Sequence, residues 1–267
     1  MRYLMLAAAV GSFVTAPANA ADRLSGAWTT GGPTPQTFVF KTAGDAFGGI
    51  VCGPCDDPAT VFHIEAGRIL DDTRVVFSIA YDTGGPRFKE QGSYREQVTG
   101  TFSGNQLSLQ TQPVGRSAAV VTSLKRVVEG FVPDTSAVKG TNLLTADPQG
   151  PPSAIEGRWV FAGRNAQQNV ILKVRGQNVW GLICGPCNSD GVFLIDDGSF
   201  DGTTMKFYIN HIDTPPSGQR VGVQRNAMTG TLSDSNVMKF KWVREGAENQ
   251  PGGEMTLIGP IRQDRRE

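Results

Sequence analysis

All four cysteines of this 267-residue chain fall in two identical tetrapeptides, Cys52-Gly53-Pro54-Cys55 and Cys184-Gly185-Pro186-Cys187. Two thiols three residues apart support three chemistries. They can exchange reversibly with other disulfides, close a permanent local disulfide, or supply half of a tetrathiolate metal site. A metal site would need both tetrapeptides, and 128 residues separate them, against roughly 15–20 between ordinary zinc knuckles. One such site would have to bridge two domains or two chains.

Cys-Gly-Pro-Cys resembles the active-site tetrapeptide of thioredoxin-like oxidoreductases, and the likeness is confined to those four residues. In that family a Trp precedes the first cysteine, and a long helix after the motif lowers the thiol pKa through its N-terminus. Here Val51 and Ile183 precede it. The second cysteine leads into Asp56-Asp57-Pro58 in one copy and Asn188-Ser189-Asp190-Gly191 in the other, both turn formers. No βαβ pattern surrounds either copy. The context favours a structural disulfide at a bend, Cys52 with Cys55 and Cys184 with Cys187, leaving redox catalysis and zinc as alternatives. Proline at the third place of a four-residue turn is disfavoured in type I, so Pro54 and Pro186 are expected in a cis turn or at the start of a short helical turn.

Other candidate chemistry is sparse. His63 lies in the alternating segment Val61–Ile64, and Leu194 stands at its place in the second copy. His211 aligns near Tyr81, so neither histidine marks a site shared by both copies. Packing or a rim position is the expectation for His63, and no nucleophile motif accompanies either ring. The pairs Asp56-Asp57, Asp71-Asp72 and Asp196-Asp197 each read as turn carboxylates bonding local backbone. Trp28 and Trp159 open equivalent strands and are expected to pack in the core. Trp180 and Trp242 occur only in the second copy, where any aromatic ligand site would fall. No glycine spacing suits a phosphate loop. No catalytic, metal or cofactor-binding residue is assigned, and no cofactor is expected.

The segments that carry the cysteines repeat. Gly26-Ala27-Trp28 returns as Gly157-Arg158-Trp159, and Phe38-Val39-Phe40-Lys41 as Val170-Ile171-Leu172-Lys173. Gly49-Ile50-Val51-Cys52 returns as Gly181-Leu182-Ile183-Cys184, and Thr99-Gly100-Thr101-Phe102 as Thr229-Gly230-Thr231-Leu232. All these offsets lie between 130 and 132. Two copies fall short of the three or more a solenoid needs, so each must close its own core.

Period-2 alternation predicts strands in the first copy near Gly26–Thr30, Gln36–Lys41, Gly49–Cys52, Thr60–Glu65, Val75–Tyr81, Ser93–Phe102, Gln106–Thr111 and Ala118–Leu124. Turns are expected at Ala43-Gly44-Asp45, Ala66-Gly67-Arg68 and Ser103-Gly104-Asn105. A matching set runs from Gly157–Phe161 to Glu254–Ile258, with turns at Arg175-Gly176-Gln177 and Asp201-Gly202-Thr203. About eight short strands per copy suit an all-β fold of two tandem antiparallel up-and-down β-barrels, with β-sandwiches as the alternative. The domains expected are a signal peptide at 1–20, barrel repeats at 21–128 and 154–267, and a Pro/Gly-rich linker at 129–153.

Each copy resembles the small lipocalin-like and avidin-like barrel repeats of exported bacterial proteins. Those begin with a Gly-x-Trp strand and carry a late x-Gly-x-Phe strand before a closing strand. The matching residues are Gly26 and Trp28, Phe38 and Phe40, Gly49, Phe77 and Ile79, and Thr99–Phe102, with their second-copy partners. The resemblance implies the fold and a tendency to bind something. It carries over no ligand-contacting residue, and paired Cys-Gly-Pro-Cys motifs are no part of its pattern.

Met1-Arg2, the apolar stretch to Val14 and Ala18-Asn19-Ala20 read as a signal peptide cleaved before Ala21. The periplasm or the exterior is therefore the expected location, and no segment approaches ~18 continuous apolar residues. The 25 basic and 25 acidic side chains balance, which disfavours nucleic acid as partner. The sequence thus points to an exported, non-enzymatic binding or accessory protein with an unknown small ligand or protein partner. A periplasmic thiol–disulfide protein and a zinc-organised interaction protein are the alternatives.

Overall fold

The computed structural model describes residues 20–81, 94–112, 118–126, 153–163, 168–185, 192–212, 223–234, 236–246, 249 and 252–261. Residues 1–19, most of the expected linker, Pro186 and Cys187 lie outside them. In the first copy a short helix α1 (Ala20–Leu24) precedes β1 (Gly26–Thr29), β2 (Thr37–Ala43), β3 (Ala46–Cys52), β4 (Val61–Ile69), β5 (Arg74–Tyr81), β6 (Tyr94–Ser103), β7 (Gln106–Thr111) and β8 (Val120–Arg126). The second copy contains β9 (Gly157–Phe161), β10 (Asn169–Arg175), β11 (Asn178–Cys184), β12 (Val192–Phe200), β13 (Thr204–Ile212), β14 (Val223–Asp234), β15 (Val237–Arg244) and β16 (Gly253–Ile261). Each set pairs antiparallel in sequence order and closes, β8 onto β1 and β16 onto β9. Closure removes the exposed edges that a sandwich would leave.

Inward-facing side chains fill both barrels. Phe40 packs edge-on against Phe47 and Phe77 in the first, with ring centroids 5.7 and 5.6 Å apart. Phe207 and Phe240 meet at 5.2 Å in the second. Trp28 and Trp159 are buried as expected, and their indoles donate to the Leu24 and Ile155 carbonyls at 2.8 and 3.0 Å. The repeat thus extends to the hydrogen bonds.

The structure corrects one expected turn. Ala66-Gly67-Arg68 does not end a strand, because β4 runs on to Ile69 and the hairpin comes at Leu70–Thr73. A β-bulge stands there instead, with the pairing slipping between Glu65 and Arg68 and Ala66 at φ 53°. Asp197 is its counterpart at φ 46°, so Asp196-Asp197 lies inside β12 at a bulge and not beside a turn. Glycine after each bulge is a packing requirement: a Cβ at Gly67 or Gly198 would lie 2.3 Å from the Phe47 or Val179 carbonyl oxygen.

The barrels also share a core. Val39, Ile50, Cys52, Cys55 and Val61 of the first form one buried cluster with Ile171, Trp180, Leu182, Cys184, Val192 and Leu194 of the second. These side chains leave the outer faces of β2–β4 and β10–β12, the same face of each copy. β3 and β11 are therefore buried almost throughout, on both sides of the sheet.

Each copy carries its own filled core, so residues 21–128 and 153–267 expressed separately should each show β-sheet circular dichroism. Their uncovered apolar faces should make them associate when mixed, visible as co-elution on size-exclusion chromatography. Random-coil spectra for both halves, or two folded halves that ignore each other, contradict the two-core organisation.

Candidate functional site

The Cys-Gly-Pro-Cys motifs are the candidate site, and the fold brings the described parts of both to one place. Cys52 is the last residue of β3 and points outward, away from the barrel lumen and into the seam between the barrels. It is joined to Cys55 by a disulfide, with Cα atoms 4.8 Å apart. Cys184 ends the equivalent β11 and is also disulfide-bonded. Its expected partner Cys187 lies outside the described residues. Cys184 Sγ approaches the Cys55 carbonyl oxygen at 3.7 Å, so the motifs touch across the seam. Cys52, Cys55 and Cys184 are 1%, 2% and 0% exposed. That degree of burial leaves none of these three sulfurs open to a second disulfide.

The loop after Cys52 is held by more than its disulfide. The Gly53–Pro54 peptide is cis, one of the two forms expected for Pro54. Asp57 caps a 3-10 turn at Pro58–Thr60, its Oδ1 accepting from Ala59 N–H at 2.9 Å. Thr60 Oγ1 donates to the Pro54 carbonyl and, at 3.0 Å, to that of Asp57. Strand β4 then starts at Val61. No α-helix comes after the motif to aim its N-terminus at the sulfurs and support a thiolate. Asp71 also bonds locally, accepting from Thr73 and Arg74, and these bonds hold its carboxyl well below the usual range.

His63 is a packing residue of the seam. It is 3% exposed, and its ring lies 5.1 Å from the Trp180 ring of the second barrel, tilted by 35°. Gly48 stands in the first copy where Trp180 stands in the second, and Leu194 where His63 stands. The two substitutions therefore complement each other across one contact. Neither imidazole nitrogen makes a hydrogen bond, nor does Trp180 Nε1. His63 Nδ1 is 3.9 Å from Glu65 Oε2, an ion-pair distance that counts only when the ring is protonated. His63 first, and then Arg95, lowers the Glu65 pKa against the opposing effect of burial. Trp180 thus covers the seam instead of lining a ligand site. Trp242 is half-buried against the second core, over Gly253. The side chain of His211 lies outside the described residues.

Sequence reasoning missed the paired charges around this seam. Arg95 bonds Glu65 beside the first bulge, and Arg225 bonds Asp197 at the second. Arg225 also stacks 3.6 Å from the Tyr208 ring centroid. The two arginines occur at the same repeat position, an offset of 130, and that recurrence was the available signal. Lys41 and Lys173, another repeated pair, are 6% and 5% exposed on the outer faces of β2 and β10.

Compared with known proteins, the chain matches no family model, no curated protein and no solved structure. Among the described residues no helix is long and apolar enough to cross a membrane.

The Cys52–Cys55 ring is short, so it constrains the unfolded chain little. Replacing both cysteines with serine should cost about 1–3 kcal/mol in urea unfolding, the low end for a disulfide, with the circular dichroism spectrum unchanged. Peptide mapping without reduction should recover Cys52 linked to Cys55, and a Cys52–Cys184 peptide would contradict the pairing.

Proposed function

We propose that this chain is an exported, non-enzymatic binding or accessory protein, a pair of filled barrels docked through a seam that the Cys-Gly-Pro-Cys loops help to shape. The burial of Cys52, Cys55 and Cys184 within the shared cluster carries the reading. Thiol–disulfide catalysis needs an attacking sulfur in solvent and a stabilised thiolate, and the described cysteines, Cys52, Cys55 and Cys184, offer neither. A tetrathiolate metal site needs four deprotonated cysteines, whereas Cys52 and Cys55 are bonded to each other. The aromatic filling of both lumens further supports recognition at outer surfaces in place of ligand uptake inside a barrel. The expected partner is a small ligand or a protein met outside the cytoplasm.

The protein isolated from its export compartment should show no thiol titration, folded or unfolded, until a reductant is added. It should not accelerate insulin reduction by a dithiol above background. Turnover in that assay together with a thiol pKa below 7 at Cys52 or Cys184 would make it an oxidoreductase and overturn the reading.

A further inference from the structure

Four buried polar atoms around the contact between His63 and Trp180 make no hydrogen bond to the protein: His63 Nδ1 and Nε2, Glu65 Oε2 and Trp180 Nε1. The three residues are 3%, 8% and 5% exposed. Protein interiors leave few such atoms unbonded, because each has given up its bonds to solvent. Direct pairing does not resolve the set. His63 Nδ1 stands 3.9 Å from Glu65 Oε2, beyond the reach of a hydrogen bond. The imidazole and indole rings are tilted by only 35°, with centroids 5.1 Å apart. The indole N–H lies in its ring plane and so does not aim at the imidazole. Arg95 bonds the other carboxylate oxygen of Glu65, Oε1.

The chemistry of these atoms specifies what completes them. A neutral imidazole offers one donor and one acceptor, the indole one donor, and the carboxylate oxygen an acceptor. The set therefore needs a group that both donates and accepts. A cation cannot accept from the indole, and an anion cannot donate to Glu65. A hydroxyl does both, and water is the smallest molecule that carries one. The two imidazole nitrogens point away from each other, so a single molecule cannot serve both.

We propose that the seam binds two internal waters at this contact. One bridges His63 Nδ1 and Glu65 Oε2 within the first barrel, and the other joins His63 Nε2 to Trp180 Nε1 across the barrels. Each then has the two polar partners that a buried water needs. The 3.9 Å gap suits the first, because a water lying off the line between the two atoms bonds both. The site belongs to one half of the seam. Leu194 and Gly48 stand in the other copy where His63 and Trp180 stand, and neither brings a polar side-chain atom. A bridging water is nearly as favourable as a direct hydrogen bond. The second water thus adds a directional link between the copies to their apolar contact.

A crystal structure of the full chain, at a resolution that shows ordered solvent, tests this. One solvent peak should lie about 2.7–3.2 Å from both His63 Nδ1 and Glu65 Oε2, and a second at that distance from His63 Nε2 and Trp180 Nε1. In solution, oxygen-17 relaxation dispersion counts long-lived waters. His63→Leu, which installs the residue of the second copy, should lose the dispersion amplitude of at least one such water. If His63→Leu fails to fold, the wild-type crystal decides the matter. A peak missing from either place, a direct bond from His63 to Glu65 or Trp180, or a bound solute other than water overturns the proposal. So does an unchanged dispersion amplitude in folded His63→Leu.

Discussion

The arrangement depends on one constraint: the outer faces of β2–β4 and β10–β12 are too apolar to stay in water. Val39, Ile50 and Val61 on one side and Ile171, Trp180, Leu182 and Leu194 on the other form a contiguous patch that is removed from solvent only when the barrels dock. Burial of apolar surface is the dominant favourable contribution to association, and patches of this kind mark interfaces. Cys52 and Cys184 end β3 and β11, the central strands of this patch. The loop after Cys52 is fixed by a disulfide and by local hydrogen bonds, so the Cys55 carbonyl and Cys184 Sγ meet in a defined geometry.

Because the copies present the same face to each other, their sequence differences fall in matched pairs. Trp180 occupies space beside His63, while Gly48 and Leu194 take the equivalent positions. The charges diverge in the same way, Glu156 serving Lys173 where Ser25 bonds Thr42. Specificity between two such related faces rests on differences between competing pairings.

Strand order, barrel closure and the equivalence of the two copies were legible in the sequence, since alternation and repeat spacing are local signals. The seam was present in the same residues but read as barrel strand alone. Phe38-Val39-Phe40 and Val170-Ile171-Leu172 are apolar at both parities, which a barrel strand facing water on one side does not require. Near-continuous apolar runs indicate burial on both faces. The bulges at Ala66 and Asp197 were harder to see. Glycines at 67 and 198 suggest a turn equally well, and only cross-strand pairing shows the chain continuing. The Arg95–Glu65 and Arg225–Asp197 pairs join residues distant in sequence, and their acids occupy different repeat positions. The Cys52–Cys55 disulfide was legible from spacing, whereas its burial depended on the seam and was not.

Burial of the sulfurs separates a locked structural element from a working redox centre, and it results from the docking of the barrels. The contact between His63 and Trp180 tests that docking most directly, because the rings belong to different copies and stand 5.1 Å apart. In an NMR spectrum of the full chain, the His63 ring protons should show nuclear Overhauser effects to the Trp180 indole. Finding no such cross-peak, in a spectrum that does show the Trp28–Phe102 contact within the first barrel, would mean that the two cores are separate and the cysteines are not sealed between them.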